Sequence, residues 1–151
     1  MRIKVAVVVE NSAKKVLLIH EKTARDSEGG WNTIKGSVDE GEVLSKAALR
    51  ECMEEAIVDV QIVGFLGIFI RHVDGSLVVQ FNYLATTKDS GKVPYREEQV
   101  IRDEMIDEVR WFSRKELEIL EEEDMLNEGA YKLIQIYLKN RPYSLDLITE
   151  T

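Results

Sequence analysis

The hydrophobic and polar positions of the chain change their spacing along its first third. Residues 3–9 form a mostly apolar, β-branched run that predicts a buried strand, and residues 15–20 predict its hairpin partner. A third, short strand is predicted at 31–34, and a loop bounded by glycines follows at 36–41. Residues 43–58 lack glycine and proline and predict the first helix. The chain therefore begins with strands and then adds a helix.

The middle of the chain returns to strand-like spacing. Residues 59–70 are mostly apolar and β-branched, which predicts another strand. Asp74-Gly75 lies between two apolar runs and predicts a hairpin turn, with the return strand over 77–85. Residues 86–98 are polar and predict a loop.

A short strand and two helices are predicted toward the C-terminus. The strand covers residues 109–112, and Ser113 and Glu116 have the spacing of a capping box at the start of a helix. A last helix is predicted over 127–139. The order of strands, helix, strands and helices predicts an α/β protein of the α+β type, with one mixed sheet covered by helices on both faces.

Length and composition restrict the class of protein further. The 151 residues fit a single domain over 1–151, and 44% hydrophobic with 32% charged residues is ordinary for a soluble globular protein. The single cysteine, Cys52, excludes an internal disulfide, so we expect a cytoplasmic protein. No apolar run approaches the roughly 20 residues that cross a membrane. The net charge of −8 argues against a nucleic-acid polymer as a partner.

The predicted helix over 43–58 carries charge on the face that should be buried. At about 100° per residue, apolar and acidic positions share one stripe of this helix. The stripe consists of Leu44, Ala47, Ala48, Glu51, Glu54, Glu55 and Val58. Its apolar members indicate that it faces the protein body, so the three glutamates point inward or into a cleft. A solvated acidic face is the alternative, and the apolar positions on either side make it less consistent with the pattern.

Three carboxylates at this spacing repel one another, and partial burial increases the cost. A hard divalent cation removes the repulsion, because Mg²⁺ and Mn²⁺ prefer oxygen ligands. The glycines in the loop at 36–41 allow backbone carbonyls to approach the same cation. Arg50 can pair with Glu42 and tie this loop to the helix. The segment therefore predicts a Mg²⁺ or Mn²⁺ site between loop and helix.

The spacing of the polar residues in this segment is specific. In chain order it is Gly36, five residues, Glu42, seven residues, Arg50-Glu51, two residues and Glu54-Glu55. This pattern resembles the Nudix box, G-x5-E-x7-R-E-U-x-E-E-x-G-U, in which U is a bulky apolar residue. Two positions depart from it: Ile57 replaces the last glycine, and Cys52 replaces the first bulky apolar residue. Neither departure removes a carboxylate.

The resemblance to the Nudix family implies a fold and a reaction. The fold would be an α/β/α sandwich with a mixed, largely antiparallel sheet. The reaction would be hydrolysis of a pyrophosphate bond in a nucleoside diphosphate linked to another group, so the expected partner is a small phosphorylated metabolite or nucleotide. Candidate substrates are nucleotide sugars or ADP-ribose, nucleoside triphosphates and dinucleoside polyphosphates. Relatives often dimerise, which makes a homodimer a further expectation, and a non-catalytic nucleotide-binding or regulatory module is the alternative function.

The resemblance also assigns metal ligands. Glu51 and Glu55 would be the principal ligands, and Glu54 would be a third ligand or the catalytic base. The backbone carbonyl of Lys35 would complete the ligand shell. The expected cofactor is Mg²⁺ or Mn²⁺.

Other residues would support this centre. Arg50 would hold the catalytic geometry together with Glu42, and Gly36 would give structural support. Arg71 and Tyr83 lie on the predicted strand pair that would wall the substrate cleft, which makes them candidate substrate-binding residues.

In many relatives a further glutamate comes from a loop nearer the C-terminus. Glu104 is the first candidate for this catalytic carboxylate, and Glu97 and Glu98 are the next. All three lie in an acidic stretch of the chain, where a solvated loop residue is the alternative interpretation.

Overall fold

The structure of the protein is a computed structural model that describes residues 1–101 and 105–151. Within these ranges the chain forms seven strands, four α-helices and two short 3-10 helices. The strands are β1 (Arg2–Glu10), β2 (Val16–Glu21), β3 (Gly30–Asn32), β4 (Ile34–Ser37), β5 (Gln61–Val73), β6 (Ser76–Thr86) and β7 (Ile106–Phe112). The α-helices are α1 (Leu44–Ala56), α2 (Arg96–Ile101), α3 (Arg114–Ile119) and α4 (Glu128–Leu138), and the 3-10 helices are Glu122–Asp124 and Leu145–Leu147. No helix in the described ranges is long and apolar enough to cross a membrane.

The strands form one mixed sheet that forks beside β1. β1 pairs in parallel with β6 along its whole length, and β6 pairs antiparallel with β5. On its other side β1 pairs antiparallel with β4 over residues 4–7 and with β2 over residues 9–10. β2 pairs antiparallel with β3 and β7. Because β3 and β4 are consecutive but pair with different strands, the sheet opens between them. The predicted mixed, largely antiparallel sheet is confirmed.

Helices cover both faces of this sheet, each over its own apolar core. Successive side chains of a strand point to opposite faces. Val5, Val7 and Val9 of β1 accordingly belong to the core that α1 covers, and Ala6 and Val8 belong to the core that α3 and α4 cover. All five are fully buried. The predicted α/β/α sandwich is therefore confirmed.

The glycine-bounded loop begins later than predicted. The segment expected as one strand at 31–34 is divided into β3 and β4, and β4 continues through Gly36 to Ser37. Gly36 pairs with Val5 and shares its face of the sheet. A glycine within a strand often marks a place where another group approaches the backbone closely. The prediction of a loop was wrong for these two residues because the pairing with β1 is a tertiary contact.

A short helix occupies part of the segment predicted as a polar loop over 86–98. α2 begins at Arg96, and its buried residue Gln99 donates side-chain hydrogen bonds to the carbonyls of Pro94 and Ile106 at 3.1 and 3.0 Å. An isolated helix of six residues is unstable, so contacts of this kind are needed to hold it. The loop prediction was wrong from residue 96 onward because it could not include the contact with β7.

The turn and capping signals are confirmed. Asp74 and Gly75 connect β5 and β6 with φ angles of 51° and 75°, and the two positive values are those of a type I′ hairpin turn. The amide of Glu116 donates to Ser113 Oγ at 3.2 Å, and the amide of Ser113 donates to Glu116 Oε1 at 3.0 Å. This capping box starts α3, and the side chain of Asn127 caps α4.

The C-terminal segment supports the first turn of α1. Val43, the residue before the helix, makes no side-chain capping hydrogen bond. Both carboxylate oxygens of Glu150 lie 3.3 Å from the amide of Ser45 and accept its hydrogen bond. Leu145 and Ile148 pack the same segment against the core that α1 covers. A carboxylate from the far end of the chain thus replaces a local cap and favours the observed position of α1.

The residue that ends α1 has a backbone conformation that favours glycine. Ile57 has φ 49° and ψ 50°, in the left-handed region. Its amide donates to the carbonyl of Met53 at 3.1 Å, and the amide of Val58 donates to that of Cys52 at 3.3 Å, so the usual turn at the end of a helix is formed. The position that holds glycine in the Nudix box is therefore built here with a β-branched residue, and the backbone is strained.

We expect Ile57→Gly to be more stable than Ile57→Ala by about 1 kcal/mol. Both variants lose the branched side chain, but alanine keeps the Cβ atom that the left-handed conformation disfavours. Urea unfolding of the two variants would measure the difference. Equal midpoints, or a more stable alanine variant, would contradict the strain assigned to Ile57.

Candidate active site

Two glutamates of α1 contact the backbone of β4. The amide of Lys35 donates to Oε1 of Glu55 at 2.9 Å. A Cβ atom at Gly36 would lie 1.9 Å from Cδ of Glu51, so the Glu51 carboxyl group occupies the space that any larger residue would need. The absent side chain of Gly36 therefore admits Glu51 to the strand.

The three carboxylates of α1 differ in burial. Glu55 is 1% exposed and Glu51 is 5% exposed, whereas Glu54 is only half-buried. The predicted inward orientation is confirmed for Glu51 and Glu55. Two buried acids at neighbouring positions are costly unless hydrogen bonds, cationic side chains or a metal ion compensate their charge.

One arginine joins the acidic side chains of the loop and the helix. Nε and Nη2 of Arg50 donate to the two carboxylate oxygens of Glu42, each at 2.9 Å. Nη1 donates to Glu51 at 2.8 Å and to Glu54 at 3.1 Å, and Nη2 also donates to the carbonyl of Ser37 at 2.8 Å. The hydrogen bonds between Arg50 and Glu42 lower the pKa of the carboxyl group and raise that of the guanidinium. The predicted Arg50–Glu42 pair is thus confirmed.

A group of basic side chains lies within electrostatic reach of these carboxylates. Burial, followed by the charges of Lys4 and Arg71, lowers the pKa of Lys35 to about 8. Burial and the charge of Arg71 also lower the pKa of Lys4, while Glu51 and Glu55 act in the opposite direction. Arg71 thus lies near both lysines, and its role in substrate binding stays a prediction. Lys4 was not predicted, and its signal in the sequence is a lysine within the otherwise apolar run of β1.

The remaining predicted residues lie elsewhere or outside the described part of the chain. Tyr83 is 2% exposed and packs in the core covered by α1, with its ring 6.0 Å from that of Phe65. Its role in substrate binding stays a prediction that this position does not support. Glu97 is exposed on α2. Glu104 lies outside the described residues, as does the side chain of Glu98.

The oxygen atoms of this site fit a hard divalent cation in their chemistry. Buried carboxylates next to a backbone strand are donors that Mg²⁺ and Mn²⁺ accept. Within residues 1–101 and 105–151, no three His, Cys, Asp or Glu side chains form a ready-made metal cluster. Glu51 and Glu54 instead both accept hydrogen bonds from Arg50. A bound ion would therefore share these oxygens with the guanidinium.

Comparison with known proteins identifies the class to which this fold and site belong. The sequence profile of the NUDIX domain matches residues 1–135, which are most of the chain. The chain therefore belongs to the NUDIX family, and the predicted membership of this family is confirmed. Nudix hydrolases generally use divalent metals, and the family binds nucleotide-like substrates.

Individual relatives agree with this assignment. Dihydroneopterin triphosphate diphosphatase of Escherichia coli strain K12 is 39% identical over 54 residues, which are 36% of this chain and 34% of that protein. The match thus spans about a third of the curated relative. A NUDIX hydrolase from Nitrosomonas europaea superposes with a TM-score of 0.78 at 21% identity, covering 99% of this chain and 97% of that chain. The NUDIX domain of Shewanella oneidensis NrtR, complexed with ADP ribose, superposes with a TM-score of 0.70 at 18% identity, covering 91% and 86%. At these identities the two superpositions show the fold alone.

Gly36→Ala should lower the free energy of unfolding by about 2 to 3 kcal/mol, because the added methyl group overlaps the Glu51 carboxyl group. Gly129→Ala is the matched control, since a Cβ atom there would meet only Asn127 Oδ1, at 3.3 Å. Urea unfolding of both variants would measure the difference. Equal stability of the two variants would show that Glu51 does not need the space at Gly36.

Arg50→Met should destabilise the protein by about 2 kcal/mol near neutral pH, because the buried Glu51 and the loop residue Glu42 lose their cation. The pKa of Glu42 is depressed in the folded protein, so its contribution is present above the ordinary carboxyl pKa and is lost as pH falls through the depressed value. The stability difference from the wild type should therefore shrink below about pH 4.

Chemical unfolding at a series of pH values would test this dependence. Lys132→Met is the control, because Lys132 forms an exposed ion pair with Glu128 that should contribute little to stability. A difference between wild type and Arg50→Met that grows with acidity would contradict the role assigned to Arg50.

Proposed function

We propose that the protein is a metal-dependent hydrolase that cleaves a pyrophosphate bond in a nucleoside diphosphate linked to a further group. The observation that carries this proposal is the pair of buried carboxylates, Glu51 and Glu55, held against β4 at Gly36 and at the amide of Lys35. Two adjacent buried acids do not stabilise a fold by themselves, because their desolvation and repulsion cost free energy. Their position favours a function in which a cation binds at these carboxylates, beside β4.

The residues that would hold this cation follow from the oxygen atoms at the site. Glu51 and Glu55 would be the principal ligands, Glu54 a third ligand or a base, and the carbonyl of Lys35 would complete the shell. Mg²⁺ or Mn²⁺ suits such a set of oxygens. When bound, the ion would neutralise charge on the phosphate oxygens and lower the pKa of an attacking water.

The side chains around the carboxylates act through position and charge. Arg50 binds Glu42, Glu51 and Glu54 together, so it orients them and offsets their repulsion. Glu54 is the least buried of the α1 carboxylates, which makes it the one that water reaches most easily. We therefore assign proton acceptance to Glu54 and positioning to Arg50. Glu104 stays the candidate for a further acid–base residue.

The substrate would be a small anhydride of phosphoric acid. The E. coli relative is named for a triphosphate, and the NrtR domain was crystallised with ADP ribose. Nucleotide sugars or ADP-ribose, nucleoside triphosphates and dinucleoside polyphosphates all contain the bond that this site would cleave. A non-catalytic binding module would not require all three α1 carboxylates, and the presence of Glu51, Glu54 and Glu55 favours the enzyme.

Glu54→Gln and Glu55→Gln should each lower turnover by a factor on the order of 10³, because each removes charge that holds the cation or accepts a proton. The assay is release of phosphate or pyrophosphate from a panel of these anhydrides with Mg²⁺ or Mn²⁺. Glu118→Gln, which changes an exposed glutamate of α3, is the matched control and should keep the wild-type rate. Failure of the wild type on the whole panel, or near-native rates of both site variants, would refute the proposal.

A further inference from the structure

Three basic side chains lie on one face of the sheet, opposite to the face that α1 covers. We call Lys4, Lys35 and Arg71 the cation cluster. Lys4 is two residues before Ala6 on β1, and Lys35 pairs directly with Ala6, which belongs to the core covered by α3 and α4. Arg71 follows Phe69 on β5 by two residues, and Phe69 packs against the same core. Strand alternation therefore places all three side chains on that face.

Pairing across the sheet brings the members of the cluster close together. Gln80 of β6 pairs with Lys4 on one side and with Phe69 on the other. Nη1 of Arg71 donates to Oε1 of Gln80 at 3.3 Å, and Nε2 of Gln80 donates to Oδ1 of the buried Asn82 at 2.7 Å. Two buried amides thus fix the guanidinium of Arg71 beside the lysine on β1.

The cluster carries positive charge that is not paired at short range. In the part of the chain that the structure describes, no carboxylate lies within 4.0 Å of the charged atoms of Lys4, Lys35 or Arg71. All three residues are half-buried. Such an arrangement attracts an anionic ligand.

The cation cluster adjoins the carboxylates through β4. The amide of Lys35 donates to Glu55, so this carboxylate lies at the edge of β4 that faces the fork of the sheet. The side chain of Lys35 points to the face of the sheet opposite to α1. A ligand at the fork edge can therefore meet the carboxylates with one part and the cations with another.

We propose that Lys4, Lys35 and Arg71 form an anion subsite that holds a phosphate group of the substrate beyond the bond that is cleaved. A diphosphate ester has two phosphates, and both flank the scissile bond at the carboxylates. A chain of three or more phosphates supplies the additional anion. The protein should therefore prefer nucleoside triphosphates or longer polyphosphates to nucleotide sugars. This inference rests on the proposed function, because the carboxylates define where the bond is cleaved.

The preference is tested with Lys4→Met and Arg71→Met, which keep the length of the side chain and remove its charge. In each variant the ratio of kcat/KM for a nucleoside triphosphate to that for ADP-ribose should fall at least about tenfold, because a charge-assisted contact to phosphate is lost. Lys115→Met makes the same change in net charge on an exposed residue of α3 and should keep the wild-type ratio. An unchanged ratio in both cluster variants would overturn the proposal.

Direct binding separates this proposal from the proposed function. Calorimetric titration of inorganic tripolyphosphate in the presence of a chelator should show binding to the wild type and to Glu55→Gln. The dissociation constant should rise at least about tenfold in Lys4→Met and Arg71→Met. Equal affinity of wild type and cluster variants would overturn the subsite. Full turnover by Glu55→Gln together with weakened binding by the cluster variants would instead overturn the catalytic assignment and leave the subsite intact.

The cluster variants should fold, because each removes a half-buried cation from a repulsive group. The melting temperature of Lys4→Met should equal or exceed that of the wild type in the absence of ligand. Arg71→Met also loses the hydrogen bond to the buried Gln80, so it should melt somewhat lower. A lowered melting temperature of Lys4→Met would show that its charge stabilises the sheet itself, which would overturn the assignment of the cluster to an external anion.

Discussion

The packing of the α1 carboxylates on the backbone of β4 is the contact on which the rest of the site depends. Glu51 fits only because Gly36 has no side chain, and Glu55 is held by the amide of Lys35. Both contacts use the backbone of β4, so they fix where the helix lies along the strand as well as how close it comes. The same contacts bury two carboxylates, and the surrounding residues must offset the cost of their desolvation and mutual repulsion.

Arg50 compensates part of this negative charge at short range. Its guanidinium satisfies Glu42 with two hydrogen bonds, and one remaining nitrogen serves both Glu51 and Glu54. Glu55 accepts a hydrogen bond from the backbone amide of Lys35. Among the described contacts, a guanidinium thus holds two of the α1 carboxylates and a backbone amide holds the third.

Local spacing predicted the helix side of the site well, whereas the strand side depended on tertiary pairing. A helix fixes the relation between residues three and four apart, so the clustering of Glu51, Glu54 and Glu55 could be derived from the sequence. The pairing of Arg50 with Glu42 was predicted from their opposite charges. The order of strands and the turn at Asp74 also followed from local signals. The cation cluster could not be derived, because its members come from β1, β4 and β5, and their common face depends on the register of those strands. Tyr83 is the opposite case: its strand was predicted, but the sequence did not show that its side chain packs in the core covered by α1.

The register of β4 therefore determines the positions of both the carboxylates and the cation cluster. A slip of one residue against β1 would turn Lys35 toward α1 and remove Gly36 from Glu51, because strand side chains alternate between faces. Ile34 opposes such a slip, since it pairs with Val7 and is fully buried in the core covered by α1. A slip would move this side chain out of the core at a cost of about 1.5–3 kcal/mol. The apolar side chain of Ile34 thus helps to determine on which face of β4 each charged group lies.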